Sequence, residues 1–149
     1  DYESEFKEAV CRFKERGIHA MVFGDIYLEE HENWVERVCS ELEITAVEPL
    51  WKVPVEDILA EFIQSGFKAV IVSCKTDVMG KEYIGRTINW ALIDELKGRG
   101  VCPCGEKGEF HTLVVDGPRF KKPLEILEAE TIIKEGFWQH WFLDIKKFQ

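Results

Sequence analysis

Apolar positions follow two rhythms along this chain, and the change of rhythm divides it. In residues 3–16, Phe6, Val10 and Phe13 recur at i, i+4 and i+7, the spacing of one helical face, and Gly17 stops the run. "IHAMVF" at 18–23 is a short apolar run, the type buried on both faces of a parallel sheet. A second helix is predicted over 29–42, with Trp34, Val35, Val38 and Leu42 on one face. "ITAVEPLW" at 44–51 reads as a short strand running into a Pro-marked loop. A third helix over 54–65 has Pro54 near its first turn, Ile58, Phe62 and Ile63 turned inward, and Gly66 as its stop. "FKAVIVSCK" at 67–75 is the third strand. Helix–strand alternation of this kind predicts an α/β fold with a parallel sheet. Ligands of such sheets sit at the carboxyl ends of the strands. Those ends carry Gly24-Asp25, Pro49-Leu50-Trp51 and Ser73-Cys74-Lys75.

After residue 80 the pattern changes. "KEYIGRTINWALIDELKGRG" predicts one amphipathic helix over 81–97, ended by Gly98 and Gly100. "FHTLVVDG", "LEILEAETIIKEG" and "FWQHWFLDIKKF" alternate apolar and polar residues and are rich in aromatics, which predicts antiparallel strands. A domain boundary is expected near residue 78. That gives an α/β part at 1–78 and a smaller α+β part at 79–149.

Charge narrows the function classes. The net charge is −9, and the longest basic run, "IKKF", is too short to track a phosphate backbone. Neither nucleic acid nor an anionic membrane is an expected partner. No apolar run approaches the roughly 20 residues of a membrane span. The opening "DYESEFKEAV" is acidic, unlike a secretion signal, and no initiator Met precedes it. The expectation is a trimmed piece of something longer. Five cysteines, three of them in apolar periodic segments, point to a reducing, cytoplasmic protein.

The chemistry concentrates in "CPCGEKGEFHT" at 102–112. Cys102 and Cys104 with His111 are a poor match to zinc, which takes C-x2–4-C plus a second pair, so no metal site is predicted. A Cys104–His111 nucleophile pair needs contact that seven residues of separation do not establish. Gly105 and Gly108 permit positive φ and let backbone N–H groups face a ligand. Glu106 and Glu109 would repel a phosphate there and suit an amine or quaternary ammonium instead. Gly24-Asp25 is open between contact with a ribose or metal–phosphate and capping of the next helix. Trp138, Trp141 and Phe142 could form an aromatic cage for a quaternary ammonium, but such a stripe in a strand is more often core.

"VFGDIYLEEHENWVERVC", "PLW", "GFKAVIVSCK" and "GVCPCGEKGEFHTLVVDGPRF", in that order, resemble the diphthine–ammonia ligase family. That family belongs to the PP-loop (N-type) ATP pyrophosphatases, with an adenine-nucleotide α-hydrolase-like fold. The resemblance implies a parallel-sheet ATP-binding domain of that class, truncated at its N-terminus, followed by a substrate domain. It implies ATP with Mg²⁺, ammonium, and translation elongation factor 2 as protein substrate. ATP would adenylate the diphthine carboxylate, and ammonia would displace AMP to give diphthamide. Glu106, Glu109 and His111 would be catalytic. Gly105, Gly108, Phe110 and Thr112 would shape the substrate side, and Gly24 and Asp25 the ATP side. The family's SGGKDS-like phosphate loop would lie upstream of residue 1, so this chain alone is expected to be incomplete and inactive. The rival expectations are a PP-loop enzyme acting on another carboxylate or amide, and a non-catalytic binding module. The oligomeric state, a homo-oligomer included, is left open.

Overall fold

The computed structural model describes residues 1–136 and 139–149, and the chain forms two compact units, Asp1–Pro54 and Val55–Gln149. The first unit contains α1 (Tyr2–Lys14), β1 (Ala20–Val22), α2 (Glu29–Glu41) and β2 (Thr45–Val47). Asp1 caps α1 by accepting from the Ser4 N–H at 2.9 Å. Acidic residues open α1 and basic ones close it, which complements its dipole. β1 and β2 pair in parallel, from Ala20 opposite Thr45 to Val22 opposite Val47. Val10, Val38 and Leu42 form a small buried cluster flanked by Phe6, Met21, Trp34 and Ile44. Arg37 and Lys7 each bridge Glu3 and Glu41, tying α1 to α2. β1 departs from the expected doubly buried strand: only Met21 turns inward, and Val22 is 69% exposed.

The second unit contains α3 (Val55–Gln64), β3 (Lys68–Lys75), a 3-10 turn at 81–83, α4 (Trp90–Gly98), β4 (Phe110–Asp116), β5 (Ile126–Lys134) and β6 (His140–Phe148). Its sheet runs β4-β3-β6-β5, and every pairing is antiparallel. The three alternating C-terminal segments are thus strands, as their period-2 pattern predicts. The third strand, expected in the parallel sheet, belongs instead to this antiparallel one. The division falls between Pro54 and Val55 rather than near 78, because α3 and β3 bury their apolar faces in the second unit's core. That core includes Leu59, Ala69, Ile71, Cys74, Met79, Leu92, Ile93, Leu96 and Phe110. A register shift between Ile71 and Ser73 lets Cys74 share the buried face with Ile71.

The helix expected over 81–97 is also corrected. Gly85 adopts φ +81°, which no right-handed helix accommodates. The Ile71 N–H donates to the Arg86 carbonyl and the Ile88 N–H to the Ala69 carbonyl, so this stretch lies along β3. α4 begins only after Asn89, whose side chain accepts from the Leu92 N–H at 2.9 Å. Tyr83 closes the segment. Its hydroxyl donates to Glu95 and accepts from Arg99, and the Arg86 and Arg99 guanidinium groups lie 4.9 and 5.0 Å from its ring centre. Trp141 packs against the core, as an aromatic stripe in a strand is expected to do. Trp138 lies outside the described residues. Among the described residues no helix is long and apolar enough to cross a membrane.

Candidate functional site

In the second unit, the carboxyl end of β3 meets the loop that leads into β4. The loop is built from two consecutive turns. The Gly105 N–H donates to the Cys102 carbonyl at 2.9 Å and the Gly108 N–H to the Gly105 carbonyl at 2.8 Å. Both glycines have positive φ, +67° and +72°. At Gly105 a Cβ would stand 2.7 Å from the Phe110 carbonyl oxygen, so no side chain fits there.

The four box side chains that follow diverge. Glu109 is 9% exposed and folds back on the loop, its Oε2 accepting from the Lys107 N–H at 2.9 Å. Phe110 turns into the core opposite Cys74, so its role is packing. His111 and Thr112 are exposed on β4, opposite Ser73 and Ile71. Glu106 is half-buried at the loop's turn. β3 holds the loop through Lys75, which the sequence placed at a strand end but gave no part in the box. Lys75 donates its backbone N–H to the Glu109 carbonyl at 2.9 Å and its Nζ to the Lys107 carbonyl at 3.0 Å. The available signal was a lysine closing an otherwise apolar strand.

Cys104 and Cys74 are poor nucleophiles here. Burial chiefly, with added repulsion from Cys102, Glu106 and Glu56, pushes the Cys104 thiol up to about 12. Burial and Glu82 push Cys74 up to about 11. A thiolate–imidazolium pair at Cys104 therefore has no support.

In the first unit, the carboxyl end of β1 carries Gly24 and Asp25. Asp25 does not cap α2: the residue before that helix is Leu28, and no side chain caps it. Asp25 Oδ1 instead lies 2.8 Å from Nδ1 of His31, in the first turn of α2. His31 was not foreseen; an Asp at a strand end six residues before a His in a helix's first turn was the available sign. A groove of about 640 Å³ opens beside the pair, lined by Tyr2, Phe6, Phe23, Gly24 and Trp34 among others. The end of β2 is acidic. Burial first, then Asp25, Glu32 and Glu36, raise the Glu48 carboxyl above its ordinary value. Glu48 Oε1 and Trp51 Nε1 are buried with no hydrogen-bond partner among the described residues.

Comparison with known proteins agrees with this two-part organisation. The family model described as the diphthamide synthase C-terminal domain matches residues 54–149, and the one described as the N-terminal domain matches residues 1–46. The chain belongs to the diphthamide synthase family. It is 35% identical over 122 residues to human diphthine–ammonia ligase, covering 78% of this chain and 45% of the human protein. The mouse protein of the same name is 32% identical over 122 residues with the same coverage. The Schizosaccharomyces pombe protein of that name is 29% identical over 119 residues, covering 77% of this chain and 20% of its own length. The chain therefore spans less than half the length of the curated relatives it matches.

Proposed function

We propose that the protein carrying this chain is an ATP-dependent amide ligase of the diphthine–ammonia ligase type, with the first unit part of a PP-loop ATP-binding domain. The observation that carries this reading is the box loop: beside the carboxyl end of the inner strand β3, a tightly turned backbone holds the half-buried Glu106 carboxylate and the nearly buried Glu109 carboxylate. An acidic loop of this kind suits ammonium and a trimethylammonium-bearing substrate.

The reaction would run in two steps. The diphthine carboxylate oxygen attacks the α-phosphorus of ATP, and pyrophosphate leaves with the electrons of the broken P–O bond. Ammonium gives one proton to Glu106 or Glu109, and the resulting ammonia attacks the acyl carbon. A C–N bond forms, AMP departs with the C–O bonding pair, and the second proton lost from nitrogen passes to His111 or solvent. Gly105 and Gly108 allow the backbone to approach the substrate, and Thr112 lines its path. Phe110 supports the loop from the core. Gly24 and Asp25 would face the nucleotide. Asp25, Glu32, Glu36 and Glu48 would repel a bare triphosphate, so ATP would enter as its Mg²⁺ complex. The protein substrate would be diphthine-bearing elongation factor 2, and the reaction cytoplasmic.

The test uses the complete protein with ATP, ammonium and diphthine-bearing elongation factor 2. AMP release is expected to depend on both ammonium and the factor, and to keep pace with amide formation measured by mass. Glu106→Ala and Glu109→Ala are each expected to lower the rate by about 10²-fold or more. AMP release indifferent to the factor would exclude diphthine as acceptor. Full activity in both variants would exclude the roles given to the carboxylates.

A further inference from the structure

We infer that Lys75 is the positioning residue of the acidic box, setting where its carboxylates meet a cationic ligand. The inference rests on the proposed function of that loop and goes beyond it by naming the group that orients it. Lys75 ends β3, an inner strand of the sheet, so its backbone is fixed by pairing on both sides: Cys74 lies opposite Phe110 in β4, and Lys75 itself lies opposite His140 in β6. From this fixed point it reaches the loop twice. Its N–H holds the Glu109 carbonyl, and its ammonium holds the Lys107 carbonyl.

These two tethers bracket Gly108. A Cβ built there would stand 3.7 Å from Lys75 Nζ, so the ammonium lies directly against the loop backbone. The Lys107 N–H, one peptide plane before the Lys107 carbonyl, donates to Glu109 Oε2. One lysine thus fixes the carbonyl of the residue whose N–H aims the Glu109 carboxylate. Lys75 acts through the loop and does not react. Its charge also opposes the mutual repulsion of Glu106 and Glu109, which lie three residues apart in a turn. Without the ammonium, the loop would keep its turns but lose the tether that sets the carboxylate direction.

The experiment is an ammonium titration of the complete protein at constant ionic strength, followed through the amide ¹H–¹⁵N signals of Gly105, Lys107 and Gly108. The wild-type signals are expected to shift and saturate. Lys75→Met keeps the apolar stem and is expected to need about tenfold more ammonium, with ATP affinity unchanged within about twofold. Lys75→Arg, which keeps a donor and the charge, is expected to recover most of the loss. A merely structural lysine would weaken ATP and ammonium alike, or neither. If ammonium leaves the wild-type signals unmoved, both the cation-binding reading of the loop and this inference fall. If it moves them equally in wild type and Lys75→Met, only the role of Lys75 is overturned and the loop reading stands. If amide signals show Lys75→Met unfolded, Lys75→Gln takes its place under the same criteria: a loss confined to ammonium sustains the inference, and a loss shared with ATP, or no loss, overturns it.

Discussion

The two units solve the problem of holding a strand end in opposite ways. The first has two parallel strands of three residues each, with alternating exposed positions, and a cluster of three buried residues beneath them. It relies on charge: Glu3, Lys7, Arg37 and Glu41 link its helices. The second has a four-stranded antiparallel sheet over a core of twelve buried residues among those described. Its candidate loop leads into β4 and is held by the end of the neighbouring inner strand β3. A strand end backed by a deep core can keep a turned, strained loop in one geometry. A strand end backed by a thin core can do so only where neighbouring groups pair, as Asp25 and His31 do. Exposed ion pairs contribute little each, so the first unit is the softer of the two.

The largest effect should come from deleting the same side chain in each. Leu96 is fully buried, and Leu42 is 9% exposed at the end of α2. Leu96→Ala is expected to cost about 4 kcal/mol, and Leu42→Ala about 2 kcal/mol because a thinner cluster leaves a smaller cavity. Urea denaturation followed by residue-resolved amide signals in each unit measures both. Equal costs would erase the contrast drawn between the two cores.

Much of this organisation is legible in the sequence, and the failures are physical. Phe110–Asp116 and His140–Phe148 are legible as strands from their β-branched and aromatic residues, although neither strand's burial alternates strictly. The run "FKAVIVSCK" identifies a strand but not its neighbours: a central strand is apolar on both faces whether its partners run parallel or antiparallel. That one ambiguity displaced both the sheet assignment and the boundary. At 81–97 the apolar spacing of Tyr83, Ile84 and Ile88 mimics a helix while tertiary pairing along β3 overrides it. Gly85 and the capping Asn89 were the local signs of the break. In the box, the Cys and His spacing argued against zinc and thiol chemistry, and the family resemblance moved the weight to the glutamates. Neither showed that Phe110 is core, or that Lys75, 32 residues from Lys107 in sequence, holds the loop.

A smaller and more local contrast lies in the two strand-end glycines. Gly105→Ala must place a Cβ against a backbone oxygen at a positive φ, and is expected to cost about 2 kcal/mol. Gly24 has no heavy atom within 4 Å of the position a Cβ would take, so Gly24→Ala should stay within about 0.5 kcal/mol. Thermal unfolding of the two variants measures the difference. A Gly24→Ala cost matching that of Gly105→Ala would show that the first unit's strand end is as constrained as the second's.

The smallest effect separates the two units by acid. Glu95 in the second unit is held down at about 2, first by hydrogen bonding from Arg86 and then from Tyr83. Glu3 in the first is lowered further, first by Arg37 and then by Lys7. A carboxyl whose folded pKa lies below its unfolded value stabilises the fold when ionised. The contribution is complete above the ordinary glutamate value of 4.5 and fades as pH falls through it toward the folded value. Glu95 therefore stops contributing by about pH 2, whereas the Glu3 window extends lower. Glu95→Gln and Glu3→Gln should each lower the thermal midpoint at neutral pH and lower it less at pH near 3, about the middle of the window. The Trp34 indole N–H donates to Glu3 at 3.0 Å, so its ¹H–¹⁵N signal reports the first unit directly. If that signal and the amide signals of α4 respond to acid over the same range, the Arg37–Glu3 pairing is no tighter than the Arg86–Glu95 pairing, and charge is not what distinguishes the first unit.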